Sequence, residues 1–344
     1  MRDRETKYIV KAKKQSGFGK QKEKMPQLKK LSQNFYRPKW WSDTAIPYLR
    51  REVDRRVSQA TYSPQKDPVN LMDEDWDNLL LLDACRHDLF EEANTLSGVL
   101  DYRISRGSGT PEFLTENFSE RTFNDTVYVT ANPMYRTRSL GETFHEVIDV
   151  WSDEWNENLQ TVTPRAMAEA TVKAYKEYPK KRILSHFMQP HYPFIGDSSE
   201  EIGNHSGFEY TYRKVTEEQA NRDNPTVWEL LEEGQVSEEL VWKAYKENLQ
   251  VALPYVKKVL SHFEERTIVT SDHGNAFGER PYLFGRRMYG HPLGIRHDSV
   301  CKVPWLVIDK GSRKTLVAEE NGDKSANQSD AVQRRLSNLG YVDV

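Results

Sequence analysis

The chain has 344 residues, 37% hydrophobic and 29% charged, with a formal net charge of −3. That length suits one large α/β domain or two small ones, and no run of about 18 apolar residues is present to span a bilayer. Its two cysteines, Cys85 and Cys301, exclude a disulfide framework and suit a reducing compartment. With no apolar core near Met1 to act as a secretory signal, the expectation is a cytoplasmic protein.

The charge is unevenly spread. Residues 1–40 hold 13 Lys/Arg against 3 Asp/Glu, a surplus of +10 that leaves −13 on the remainder. Such an arm reads as a solvated, poorly ordered tail. It could also touch nucleic acid, an acidic membrane surface or a partner. The acidic remainder supplies no second basic patch, so there is no clear nucleic-acid signature. The expected organisation is a basic arm over 1–40, a helical extension over 41–75 and a catalytic α/β domain over 76–344.

After the arm, residues 44–57 show apolar spacing of helical period and predict an amphipathic helix. Asn78 to Leu82 predicts a buried strand that runs into Asp83, with Arg86 and Asp88 following and a short helix to Leu96. Tyr102-Arg103-Ile104 leads into Ser105-Arg106-Gly107-Ser108-Gly109-Thr110-Pro111. Thr110 suits an N-cap and Pro111 the first helical position, so a helix is expected to about Asn117. Thr126–Thr130 is a strand closed by Asn132-Pro133. Thr163-Pro164 opens a second helix in the same way, and Arg182–Met188 is a strand followed by Gln189-Pro190-His191-Tyr192-Pro193-Phe194. Residues 197–235 read as a polar excursion. A long helix over 236–263, broken or kinked at Pro254, feeds a strand ending in Thr270-Ser271-Asp272-His273-Gly274. Lys302–Ile308 is the last strand, and Asp330–Leu339 a closing helix. Strands alternating with helices imply a mostly parallel central sheet covered on both faces.

Open α/β sheets keep their chemistry at the carboxyl ends of the strands. Two strands that finish on Asp83 and on Asp272-His273 are what a metal site built across a sheet needs, and two carboxylates with an imidazole suit Mn, Mg, Ca or Zn. A hydroxyl at a helix start lies where backbone N–H groups and the helix dipole favour an anion. Ser108 and Thr110 both qualify as a nucleophile activated by such a metal. Arg86 and Arg106 are candidates to clamp an oxyanion. His87, His145, His186, His205, His262 and His297 sit in no motif and read as ordinary histidines.

Strand-Asp83 with Arg86, the Ser/Thr turn opening a helix, Gln-Pro-His-Tyr-Pro-Phe, Thr-Ser-Asp-His-Gly, Tyr289-Gly290-His291-Pro292 and Val303-Pro304-Trp305 occur in the order found in one family. The tail Arg335–Tyr341 is similar too. Over roughly 76–341 the sequence resembles a sulfatase-like hydrolase of the alkaline phosphatase superfamily. The resemblance implies a metal on Asp83, Asp272 and His273 (one ion favoured over two) and Thr110 as nucleophile with Ser108 as the alternative. His191 and His291 would face the substrate, donating to ester oxygens or protonating the leaving group, or hold a second ion. Two departures narrow it. Neither cysteine has the context that sulfatases convert to formylglycine, and Ala84 stands where many of them carry a second Asp. Both point to phosphate or sulfate ester chemistry through an unmodified hydroxyl. The activity expected is metal-dependent hydrolysis of an anionic ester, with a glycan among the substrates. The alternatives are transfer of a phosphoryl-linked group to a glycan or lipid acceptor, and a catalytically silent member that binds an anion or glycan.

Overall fold

The computed structural model describes residues 36–203, 212–213, 215 and 224–318. Most of the basic arm, His205 and the expected closing helix and family-like tail lie outside the described residues. Contacts divide the chain into two compact units, Met1–Asp54 and Arg55–Val344. In the first, Pro38–Trp40 and a wide turn over Trp41–Ala45 lead into the helix Ile46–Thr61, whose last residues belong to the second.

Among the described residues the second unit contains eleven strands: β1 (Asn78–Leu82), β2 (Val99–Ile104), β3 (Phe123–Thr130), β4 (Phe144–Asp149), β5 (Trp155–Asn156), β6 (Thr161–Val162), β7 (Arg182–Phe187), β8 (Thr267–Thr270), β9 (Ala276–Phe277), β10 (Tyr289–Gly290) and β11 (Lys302–Ile308). Seven of them form one sheet in the order β2-β11-β8-β1-β7-β3-β4. The pairs β1/β7, β1/β8, β3/β7 and β3/β4 are parallel. β11 runs against both of its neighbours. The mostly parallel sheet expected from the strand-helix alternation is therefore present, with one reversed strand near an edge. That reversal was not legible, because Lys302–Ile308 reads the same in either direction.

The central strands are apolar on both faces because both faces are covered. Leu80, Leu82, Val127, Val129, Ile183 and Val269 pack towards the helices His87–Ala93, Pro164–Glu177 and Glu238–His262. Leu79, Leu81, Tyr128, Leu184, Ile268 and Trp305 pack on the other side with Phe113, Leu114 and Phe118 of the helix Thr110–Phe118. Each buried leucine contributes about 1.5–3 kcal/mol relative to exposure. The long helix continues through Pro254, whose side chain is on the exposed side; there water can serve the carbonyl that the missing N–H leaves unpaired. The polar excursion is not uniformly polar in structure. Thr226 and Glu229 form a capping box for a helix, Val227–Glu232, that buries Val227, Trp228, Leu230 and Leu231.

Register decides what the sheet presents. Leu82 pairs with Phe187, Leu81 with both His186 and Thr270, and Thr130 with His186. Asp83, the residues after Thr130, His186 and the Ser271–His273 turn therefore share one carboxyl edge.

Candidate active site

The ladder fixes the two acids before any side chain acts. Asp83 N–H donates to Phe187 O at 3.1 Å, and its own carbonyl accepts from His191 N–H at 3.0 Å. Ala84 then takes a left-handed backbone, φ 58°. It is held there by the Tyr245 hydroxyl, which donates to Ala84 O and accepts from Arg86 N–H. This turn aims the Ala84 N–H at Asp272 Oδ1, 2.9 Å away, where His273 N–H also donates at 2.9 Å. Asp272 Oδ2 is left to accept the Thr110 hydroxyl at 2.8 Å. Asp83 Oδ2 accepts from Asn132 Nδ2 at 2.7 Å, while Asp83 Oδ1 is buried without a hydrogen-bond partner.

The structure separates the two candidate hydroxyls. Thr110 is the first residue of its helix, not the cap. Gly109 occupies the cap, and no side chain there makes a capping bond. The Thr110 hydroxyl therefore faces the acids, 3.2 Å from His273 Nε2 as well. Ser108, two residues earlier, is turned away. Its hydroxyl donates to Glu112 Oε2 and Pro292 O and accepts from Gly294 N–H. Glu112 in turn pairs with Arg296 at 2.7 Å. Close packing shapes this turn: a Cβ on Gly107 would meet the Phe113 backbone nitrogen at 2.4 Å.

Four histidines border the cluster. His273 Nδ1 lies 2.8 Å from Gly274 O. A carbonyl can only accept, so Nδ1 carries the hydrogen and Nε2 presents a lone pair. His191 Nδ1 faces Tyr192 O in the same way. His291 stacks on His273 with ring centroids 4.6 Å apart and meets His191 edge-on at 5.2 Å; its Nδ1 is buried without a partner. The fourth, His186, was set aside on sequence, and here the expectation needs correcting. Its Nδ1 is 2.8 Å from the Tyr128 hydroxyl. Its Nε2, with no hydrogen-bond partner, lies 3.6 Å from Asp83 and 3.9 Å from Asp272. The missed signal was an ionisable residue one place from the carboxyl end of a buried central strand. Asn132 was missed as well, having been read only as part of a strand terminator.

Electrostatically the two buried carboxylates act against each other. Burial and the charge of Asp272 push the Asp83 carboxyl well above its ordinary range. Burial acts on Asp272 in the same direction, but His273, His186 and the Ala84 N–H hold it low. Burial lowers His186 and His191 to about 4, and burial, with His273 and His191 beside it, holds His291 well below its ordinary value. At neutral pH these three are uncharged, the form that binds metals. Donor atoms of Asp83, His186 and Asp272 all lie within 4.8 Å of one another. Asp83 Oδ1 and His186 Nε2 lack partners there, and the single Thr110 hydrogen faces two acceptors. A divalent cation fits this donor set and would satisfy the excess of lone pairs.

The two arginines are placed otherwise than expected. Arg86 is engaged by Asp88 at 2.5 Å, Glu279 at 2.6 Å and Asn275 O at 3.0 Å, and lies against Trp242. These carboxylates, one two residues on and one from the β9–β10 segment, occupy the guanidinium that was assigned to an oxyanion. Arg106, in the turn before the helix Thr110–Phe118, donates to Glu116 O of that helix and makes no contact with the cluster among the hydrogen bonds described.

No protein-family model matches the chain, and no curated protein does. Solved structures do resemble it. The soluble domain of lipooligosaccharide phosphoethanolamine transferase A from Neisseria meningitidis is 12% identical, with a TM-score of 0.43 over 68% of this chain and 76% of that one. The lipoteichoic acid synthase LtaP from Listeria monocytogenes is 9% identical, with a TM-score of 0.40 over 77% and 73%. A protein in the alkaline phosphatase superfamily from Vibrio parahaemolyticus is 13% identical, with a TM-score of 0.34 over 78% and 71%. The neighbours are alkaline phosphatase superfamily members. This is a likeness of fold, and at these scores it carries nothing about activity.

Proposed function

We propose that the chain is a metal-dependent enzyme acting on phosphate or sulfate esters with Thr110 as its nucleophile. The observation that carries this reading is the Thr110 hydroxyl, which starts a helix, caps nothing, and lies 2.8 Å from Asp272 and 3.2 Å from His273. Asp83, His186 and Asp272, with His273 beside them, would hold the cation. When bound, it would act as a Lewis acid towards the hydroxyl and the ester oxygens.

The side chains supply the rest. The positive end of the helix Thr110–Phe118 favours the anionic ester. Thr110 Oγ1 gives its hydrogen to Asp272 Oδ2 and bonds to phosphorus or sulfur. The bond to the alcohol oxygen breaks, and the leaving oxygen keeps the electron pair and takes a proton from water, with neutral His291 placed to hydrogen-bond to the substrate. The hydrogen on His191 Nδ1 is committed to Tyr192 O, so Nε2 is an acceptor. That suits His191 to take a proton from the molecule that next displaces Thr110, rather than to protonate the leaving group as the resemblance allowed. Water as that molecule gives hydrolysis, and an alcohol gives transfer.

The test is turnover of aryl phosphate mono- and diesters and aryl sulfates with added Mn²⁺ or Zn²⁺, with and without an alcohol acceptor. Mass spectrometry should find a covalent adduct on the Thr110 peptide, and the product ratio separates hydrolysis from transfer. Undiminished turnover by Thr110→Ala would remove Thr110 from the reaction.

A further inference from the structure

The segment joining β9 to β10 is a hairpin that ends in two apolar side chains. Its pairing continues past the strands through Gly278 N–H to Met288 O at 2.8 Å and Met288 N–H to Glu279 O at 3.0 Å. At the far end Gly285 N–H donates to Tyr282 O at 2.9 Å, closing a turn with Leu283 and Phe284 at its centre. Leu283 is 82% exposed and Phe284 88%. Around them Arg280, Arg286 and Arg287 are exposed, and Arg280 donates to Gly285 O across the turn. The loop's one acid, Glu279, is engaged by Arg86 at 2.6 Å. The apex therefore presents two large apolar groups inside a collar of three guanidinium groups.

Neither folding nor solvation explains that arrangement. Side chains this exposed contribute almost nothing to the core, and leaving them in water forgoes the burial they could gain elsewhere. A convex tip of two residues is too small for a stable protein interface, which needs about 800 Å² from each partner. An anionic bilayer asks for less. A few apolar side chains entering the headgroup boundary and basic groups meeting lipid phosphates are enough for reversible attachment.

We propose that this hairpin is a membrane-docking tip for an anionic lipid surface. Leu283 and Phe284 enter the boundary between headgroups and acyl chains, while Arg280, Arg286 and Arg287 lie against phosphates. The returning strand ends at Gly290, and the next residue is His291, stacked on His273. Docking through the tip therefore tethers the hairpin that carries His291 to the lipid surface. The proposal goes beyond the reaction assigned above and is tested without measuring it. Among the described residues no helix is long and apolar enough to cross a membrane.

The experiment is co-sedimentation of the full chain with vesicles of phosphatidylcholine mixed with phosphatidylglycerol, and with vesicles of phosphatidylcholine alone. The wild type should bind the mixed vesicles and not the neutral ones. Leu283→Ser/Phe284→Ser, with an unchanged melting temperature, should bind about tenfold more weakly, and Arg286→Gln/Arg287→Gln should weaken binding by a similar factor. Phe284→Cys labelled with an environment-sensitive dye should shift to the blue on the mixed vesicles; Cys85 and Cys301 are buried. Equal binding by the Leu283→Ser/Phe284→Ser variant overturns the proposal and assigns any attachment to the basic arm. Absence of vesicle binding by the wild type, or of a dye shift, also overturns it.

Discussion

The carboxyl edge of the sheet and the loops that face it hold their histidines and acids by different means. At the edge, Asp83, His186 and Asp272 lie in strands or within two residues of their ends; backbone groups serve Asp272, whose Oδ1 accepts two N–H bonds, and Asn132 serves Asp83. In the loops, a side chain helps to hold His191. Asn248 Nδ2 lies within hydrogen-bond distance of Pro190 O and His191 O, and its Oδ1 accepts from Ile195 N–H. His291 follows a two-residue strand, and its Nδ1 has no hydrogen-bond partner. Buried charge is thus kept where the ladder can solvate it with fixed dipoles. The neutral imidazoles are carried by segments able to adjust around a ligand. One region is built to hold charge, the other to move protons.

The strongest way to break this division is to remove the reacting pair. Thr110→Ala and Asp272→Asn should each cut turnover by about 10³-fold or more, while the melting temperature of Thr110→Ala stays close to wild type. Asp272→Asn with substantial turnover would show that the edge does not hold the charge on which the chemistry depends.

Removing the unforeseen donor comes next. His186→Ala should weaken divalent metal binding, measured by calorimetry or by competition with a chelator, by well over tenfold. Tyr128→Phe, which removes the hydroxyl 2.8 Å from His186 Nδ1, should weaken it by about tenfold, as loss of outer partners of ligating histidines commonly does. Unaltered affinity in His186→Ala would return this residue to the ordinary role first given it.

On the loop side, Asn248→Ala leaves buried carbonyls without their donor. It should cost about 1–3 kcal/mol in denaturant unfolding and lower turnover with metal affinity intact. Parallel loss of metal affinity would erase the distinction between the two regions.

The smallest effect concerns pH. Burial raises the Glu112 carboxyl, but Arg296 and the Ser108 N–H hold it below its ordinary value of 4.5. A group depressed on folding contributes stability above that ordinary value and loses it as pH falls through the folded one. Glu112→Gln should therefore flatten the acid limb of the stability profile below about pH 4.5 and leave the limb above neutrality unchanged. An acid limb identical to wild type would detach Glu112 from the turn that positions Thr110.

Much of the frame was legible because local sequence carried it. Runs such as Leu79–Leu82 and Val303–Ile308 are apolar throughout, and the Asp residues that follow β1 and β8 break the pattern. Thr163-Pro164 opens its helix as written, with the Thr163 hydroxyl accepting Ala166 N–H. Thr110-Pro111 looks the same and behaves differently, because Asp272 and His273 from far along the chain draw its hydroxyl away from the cap. The same kind of competition settled Arg86, whose partners include Glu279, and raised His186, which gains its place through pairing with Leu81 and Thr130. Sequence by itself determined most of the central strands and the longer helices, since period and capping are properties of neighbours, while β4 and the helix Val227–Glu232 were not read from it. Only the tertiary structure decided which hydroxyl, which histidine and which arginine face the cluster. Those choices are hydrogen-bond competitions between groups some 150 or more residues apart in several cases, and no local pattern records their outcome.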